Sequence, residues 1–159
     1  MGENLSPYYI GIDPGKGGGI AVLSADGRVL MAVKMPETER DILDALKGHP
    51  WRSDGAPAVA MLEFVRSSPQ MGVASSFQFG RGYGGLRMAL VATGIPFDEV
   101  IPRKWQAAMQ CLSGCDKSVT RRRAQELFPS VKATHAISDA LLIAEYGRRF
   151  HLGLLRAQA

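Results

Sequence analysis

Apolar and polar positions change period several times along the chain, and each change marks an element. Tyr8-Tyr9-Ile10-Gly11-Ile12 is aromatic and β-branched and stops at Asp13-Pro14-Gly15, after which Gly18-Gly19 leads into Ile20-Ala21-Val22-Leu23. This predicts a strand, a glycine-rich turn and a second strand. Asp26-Gly27 is a hairpin signal ahead of a third strand over residues 29–35, so three sequential antiparallel strands open the fold. Beyond Pro36 and an acidic turn over residues 37–41, Ile42, Leu43 and Leu46 recur at helical spacing, and Gly48 ends that helix. Ala58-Val59-Ala60-Met61-Leu62 is almost wholly apolar, as a central strand covered on both faces must be, and Glu63 stands at its end. A second helix is predicted over residues 75–93 with Gly94 as its stop, then a short fifth strand over 97–101. Helices over 102–109, 117–128 and 134–150 complete the chain; Pro102 opens the first and Pro129 separates the last two. The order βββαβαβααα predicts an α/β fold with a mixed five-stranded sheet, three antiparallel strands followed by two parallel ones, flanked by helices.

Composition narrows this to one unit. With 159 residues, 46% hydrophobic and 21% charged, the chain holds one domain spanning 1–159 with its core over about 8–150. The apolar runs at 20–23, 58–62 and 88–92 fall far short of the roughly 20 residues that cross a bilayer. No signal segment opens the chain, so a cytoplasmic protein without a membrane partner is expected. Cys111 and Cys115 lack further Cys or His at zinc-site spacing and read as reduced thiols. The opening Met1-Gly2-Glu3-Asn4-Leu5-Ser6 fits an acylation pattern that is too short to carry weight.

The net charge of +4 is unevenly distributed. Residues 1–99 hold 9 Lys and Arg against 11 Asp and Glu, whereas residues 100–159 hold 10 against 4. This asymmetry points to a polyanionic partner contacted mainly by the C-terminal segments, although a solvated basic helix face has the same signature.

Three acidic residues stand where a sheet-based active site would place them. Asp13 ends the first strand, Glu63 ends the fourth, and Asp139 lies in the first turns of the last helix with His135 four residues before it. If strands one and four are adjacent and parallel, both carboxylates emerge at one sheet edge, and residues four apart on a helix share a face. Each has a plainer reading: a turn for Asp13, a favourable helix-dipole contact for Asp139, a surface residue for His135. Glu63 is harder to explain that way, because a carboxylate after five apolar strand residues needs a partner or a metal. Carboxylate oxygens suit Mg²⁺ or Mn²⁺, and two such ions about 4 Å apart activate water and stabilise a phosphodiester's leaving oxygen.

Together, Gly11-Ile12-Asp13-Pro14-Gly15 with Gly19-Ile20-Ala21-Val22, Met61-Leu62-Glu63, Phe79-Gly80-Arg81-Gly82-Tyr83-Gly84, Pro102-Arg103-Lys104-Trp105, Lys117-Ser118 and the run from His135 to Ala144 resemble the RuvC-type Holliday junction resolvases. The likeness is nearest the compact phage and bacterial branch related to the chloroplast resolvase. It spans residues 8–149, and one motif alone would be weak. The resemblance implies an RNase H-like fold, a homodimer, and paired metal-dependent nicking of a four-way DNA junction in a bacterial cell or phage-infected host. It implies Asp13, Glu63 and Asp139 as ligands of Mg²⁺, with Mn²⁺ able to substitute, two ions per site and no organic cofactor. His135 departs from the best-known pattern, which has an aspartate where Ala136 stands; binding metal, orienting water and contacting the scissile phosphate are its open roles.

Gly80, Gly82, Gly84 and Gly85 fall inside the second predicted helix, where each costs about 1 kcal/mol relative to Ala. Gly80 and Gly84, with Ser76, would form a face for close approach by a second subunit or DNA; a glycine-rich loop is the alternative. The resemblance makes this the dimer helix. Phe77, Phe79 and Tyr83 are candidates for stacking on unpaired bases or for the core. Arg81, Arg103, Lys104, Lys117, Arg121 and Arg122 are candidate DNA contacts that would position phosphates without reading sequence. Competing functions are an actin-like or sugar-kinase ATPase, which requires two such domains, a nuclease on another branched or RNA-containing substrate, and a junction binder without catalysis. A binder would gain nothing from three carboxylates that repel phosphate.

Overall fold

The computed structural model describes residues 6–48, 51–52, 54–114 and 116–155; Cys115 and residues 1–5 of the acylation-like pattern lie outside them. Strands β1 (Tyr8–Asp13), β2 (Gly19–Leu23) and β3 (Val29–Lys34) are followed by α1 (Glu39–Lys47), β4 (Ala58–Glu63), α2 (Val73–Ala92) and β5 (Phe97–Val100). Helices α3 (Pro102–Ala108), α4 (Lys117–Leu127) and α5 (His135–His151) end the fold. The sheet order is β3-β2-β1-β4-β5, with β1, β2 and β3 antiparallel and β4 parallel to both β1 and β5. The expected mixed sheet is present, and every expected element forms.

Local chemistry sets the boundaries. Gly27 supplies the positive φ of 87° that the β2–β3 hairpin needs. Thr38 caps α1 by accepting the Asp41 amide, and Gly48 closes it in the left-handed region. Helix α2 begins at Val73, two residues earlier than its pattern suggests, and runs unbroken through its four glycines. The glycine-rich stretch is therefore helix, not loop.

The two-residue period of the strands divides the core. Ile10, Ile12, Ala58, Ala60 and Leu62 meet α1 and α2 on one face, packed with Leu46, Leu86 and Leu90. The alternate positions face α5: Tyr9 packs with Ala140, Leu141 and Ala144, and Met61 packs with Leu142, Ile143 and Tyr146. Glycines make this second interface unusually close. A Cβ at Gly11 would overlap the Ala140 carbonyl oxygen and the Ala144 backbone, and one at Gly19 would meet the Ala136 carbonyl. The backbone of α5 thus lies directly on β1 and β2.

At its C-terminal end α5 carries Glu145, buried and paired with Arg148 at 2.7 Å and with Arg149, while Arg148 also donates to the Ala25 carbonyl in the β2–β3 hairpin. Burial alone would raise the Glu145 carboxyl, but hydrogen bonds from both arginines outweigh it and hold the group below its ordinary range. Its stabilisation is present at neutral pH and is lost as pH falls through the carboxylate range. Glu145→Ala strands two arginines and is expected to cost about 3 kcal/mol in urea unfolding at neutral pH, with the difference from wild type shrinking in acid.

Candidate active site

The same alternation that puts Gly11 and Met61 under α5 puts Asp13 and Glu63 there, one step beyond the paired Ile12 and Leu62. Because β1 and β4 are parallel, both carboxylates leave the sheet at one edge. Helix α5 closes over them, and its tight seat on Gly11 and Gly19 brings Asp139 down to that edge. Asp13 and Asp139 are each only 7% exposed, and Glu63 is half-buried.

Three carboxylates in so little water repel one another. Burial first, then the charges of Glu63 and Asp139, push the Asp13 carboxyl up to about 7, with Lys117 pulling the other way. Burial also raises Glu63, opposed by a hydrogen bond from Trp105, whose indole Nε1 donates to Oε2 at 2.6 Å. Lys117, the first residue of α4, donates from Nζ to Asp139 Oδ2 at 2.8 Å while remaining 59% exposed. Burial disfavours its charge, and the bond to Asp139 more than offsets that, so Lys117 titrates above its ordinary range.

Asp139 Oδ1 is buried without a hydrogen-bond partner, an uncommon state for a polar atom. Among the described residues no three His, Cys, Asp or Glu side chains already form a coordination shell. The donor set nonetheless suits a hard divalent cation: only carboxylate oxygens, one of them orphaned, around an Asp13 carboxyl raised chiefly by burial and then by its acidic neighbours.

His135 is exposed on the first turn of α5, one turn before Asp139, and makes no hydrogen bond with the described residues. Lys117, expected on an outer phosphate-binding face, instead reaches into the carboxylate cluster from 22 residues away. Trp105 was not among the expected site residues. Its inward position is readable from Trp105, Ala108 and Met109, which share one apolar stripe of α3. Arg103 and Lys104 are exposed at the start of α3, and Arg121 and Arg122 are exposed on α4. Arg123 turns inward to donate to the Met109 carbonyl at 2.8 Å.

On α2, Phe77 is 68% exposed, whereas Tyr83 is half-buried and hydrogen-bonded to Glu99. Arg81 pairs with Glu39 at 3.1 Å across a cleft of about 910 Å³ that opens between the Asp13 turn, the end of β3 and α2, with Lys16, Lys34 and Phe79 in its walls. No helix among the described residues is long and apolar enough to cross a membrane.

No family model matches the sequence, and no curated protein matches it. Solved structures do. The RuvC of Thermus thermophilus in complex with a Holliday junction substrate superposes with a TM-score of 0.69 at 18% identity, covering 92% of this chain and 97% of that one. A second Thermus thermophilus RuvC structure gives 0.61 at 17% identity with the same coverage. The chain has the RuvC fold, a mixed five-stranded RNase H-like sheet flanked by helices.

Proposed function

We propose that the chain is a RuvC-type resolvase, a metal-dependent endonuclease that nicks four-way DNA junctions. The observation that carries this reading is the cluster of buried Asp13 and Asp139 with half-buried Glu63 on a fold shared with a protein solved on a Holliday junction. Asp13, Glu63 and Asp139 would hold Mg²⁺, or Mn²⁺ in its place, as a pair of ions of the kind that two-metal phosphodiesterases use. When bound, the ions supply an activated water and stabilise the leaving oxygen.

The chain's own groups do the rest. Asp13 and Glu63, fixed at neighbouring strand ends, define where the scissile phosphate must lie. Lys117 neutralises Asp139 until phosphate arrives, and its exposed ammonium then serves the phosphate itself. His135, at the mouth of the site, orients the phosphate or the attacking water. Arg103, Lys104, Arg121 and Arg122, exposed on two neighbouring helices, hold the backbone of the arms. Incubation with a labelled four-way junction, a duplex and an RNA–DNA hybrid should give Mg²⁺-dependent nicking of the junction alone. Cleavage confined to the hybrid would favour a ribonuclease instead.

Symmetric cutting requires two copies, and α2 offers the surface. Val73 (90% exposed), Phe77, Gly80, Gly84, Met88 and Val91 recur every three or four residues and form one exposed apolar stripe. Among the described residues, a Cβ at Gly80 or Gly84 would meet nothing within 4 Å beyond its own stretch of helix, so packing among those residues does not account for these glycines. A helix packed against its own copy does, because the backbones then approach closely. Light scattering at tens of micromolar should find a dimer that Gly84→Glu converts to a folded monomer. A wild-type monomer at that concentration would remove the paired mechanism.

A further inference from the structure

Trp105 is fully buried against Met61, Val100, Met109, Leu142 and Ile143, and the only polar group of its side chain is the indole N–H. Such a donor needs an acceptor, and the fold usually has a backbone carbonyl to offer. Trp51, the other tryptophan, is satisfied in that ordinary way by the Ala45 carbonyl at 3.0 Å. Trp105 instead donates to a carboxylate, Glu63 Oε2, at 2.6 Å, across 42 residues of sequence. The route is short in space: Glu63 is in register with Val100 of β5, the Phe64 amide bonds to the Val100 carbonyl, and Pro102 starts α3 two residues later. The first turn of α3 therefore swings the indole beneath the end of β4.

We infer that Trp105 is a positioning residue for Glu63: its indole N–H fixes Oε2 and leaves Oε1, which has no other hydrogen bond among the described residues, as the oxygen presented to a divalent cation. This rests on the reading of Glu63 as a member of the metal-binding cluster. A charge-assisted bond from a buried, rotationally locked donor selects one carboxylate rotamer, as outer partners of metal ligands commonly do. A lysine donor would bring a full charge on a flexible stem; the neutral indole fixes orientation, and its hydrogen bond also favours the ionised carboxylate.

The two tryptophans make the test self-controlled. In full-length protein with ¹⁵N-labelled indoles, Glu63→Gln should shift the Trp105 N–H signal upfield and leave that of Trp51 in place. Addition of Mg²⁺ to the wild type should move the Trp105 signal and not the Trp51 signal. Trp105→Phe should raise the Mg²⁺ concentration for half-maximal junction cleavage by about tenfold or more, with rate at saturating Mg²⁺ largely restored. A Trp105 signal indifferent to Glu63→Gln overturns the inference, as does one that ignores Mg²⁺ in a protein that cleaves junctions. Both spectra can be read even if Trp105→Phe does not fold. Absence of cleavage by the wild type would instead strike at the nuclease reading, and the Glu63→Gln spectrum would still decide the hydrogen bond.

Discussion

Asp13→Asn is expected to abolish cleavage and, in the absence of divalent ions, to make the protein more stable. The folded state holds the Asp13 proton up to about pH 7, whereas an unperturbed aspartate releases it near 3.8. The folded protein therefore binds the additional proton between those values, and the stability associated with this group falls as pH rises from about 4 to about 7, by as much as about 4 kcal/mol. Asparagine carries no such penalty and can donate to its acidic neighbours. Urea unfolding in chelator at about pH 8 should show the variant more stable by about 2 kcal/mol or more, with the difference vanishing towards pH 4. Cleavage should fall by about 1000-fold or more, equivalent to about 4 kcal/mol of barrier. Junction binding should persist or tighten, because one charge that repels phosphate is gone. A destabilised and still active variant would mean that Asp13 is a turn residue.

Gly11→Ala is expected to be strongly destabilising. The added methyl would fall on the Ala140 carbonyl oxygen and the Ala144 backbone, and backbone has no rotamer with which to yield. The loss should exceed about 3 kcal/mol, the upper part of the range for overpacked cores, and α5 should lift from β1. Because that seat also lowers Asp139 to Asp13 and Glu63, any variant that still folds should lose cleavage out of proportion to its stability. Gly82→Ala is the matched control: nothing beyond its own stretch of helix lies within 4 Å of where the new methyl would stand, and the helix should gain about 1 kcal/mol. Denaturant midpoints of the two proteins measure both effects.

Much of this was legible in the residues. The switch from two-residue to helical periodicity located every element, and the turn signals Asp26-Gly27 and Gly48 fall where the chain turns. Asp13 and Glu63 were visible as carboxylates ending apolar strands, and parallel pairing of β1 with β4 put them side by side. Two site residues were not legible in the same way. Lys117 stands in a basic run, and nothing local distinguishes a lysine reaching a carboxylate 22 residues away from one facing solvent. Trp105 has an inward place on its apolar stripe, but nothing in that stripe names Glu63, 42 residues away, as its partner. The glycines of α2 were ambiguous for another reason: propensity opposes a helix there, and among the described residues nothing beyond their own stretch of helix packs against Gly80, Gly82 or Gly84.

If the three carboxylates make this fold a junction nuclease, strand-by-strand cleavage of a four-way junction must depend on both Asp13 and a divalent ion. A four-way junction labelled on each strand in turn is incubated under single-turnover conditions with wild type or Asp13→Asn, with and without Mg²⁺. Paired nicks at symmetric positions in two opposing strands, leaving 5′-phosphate and 3′-hydroxyl ends, are expected with wild type and Mg²⁺ only. Intact strands in all lanes, or nicks of equal yield with Asp13→Asn, would contradict it.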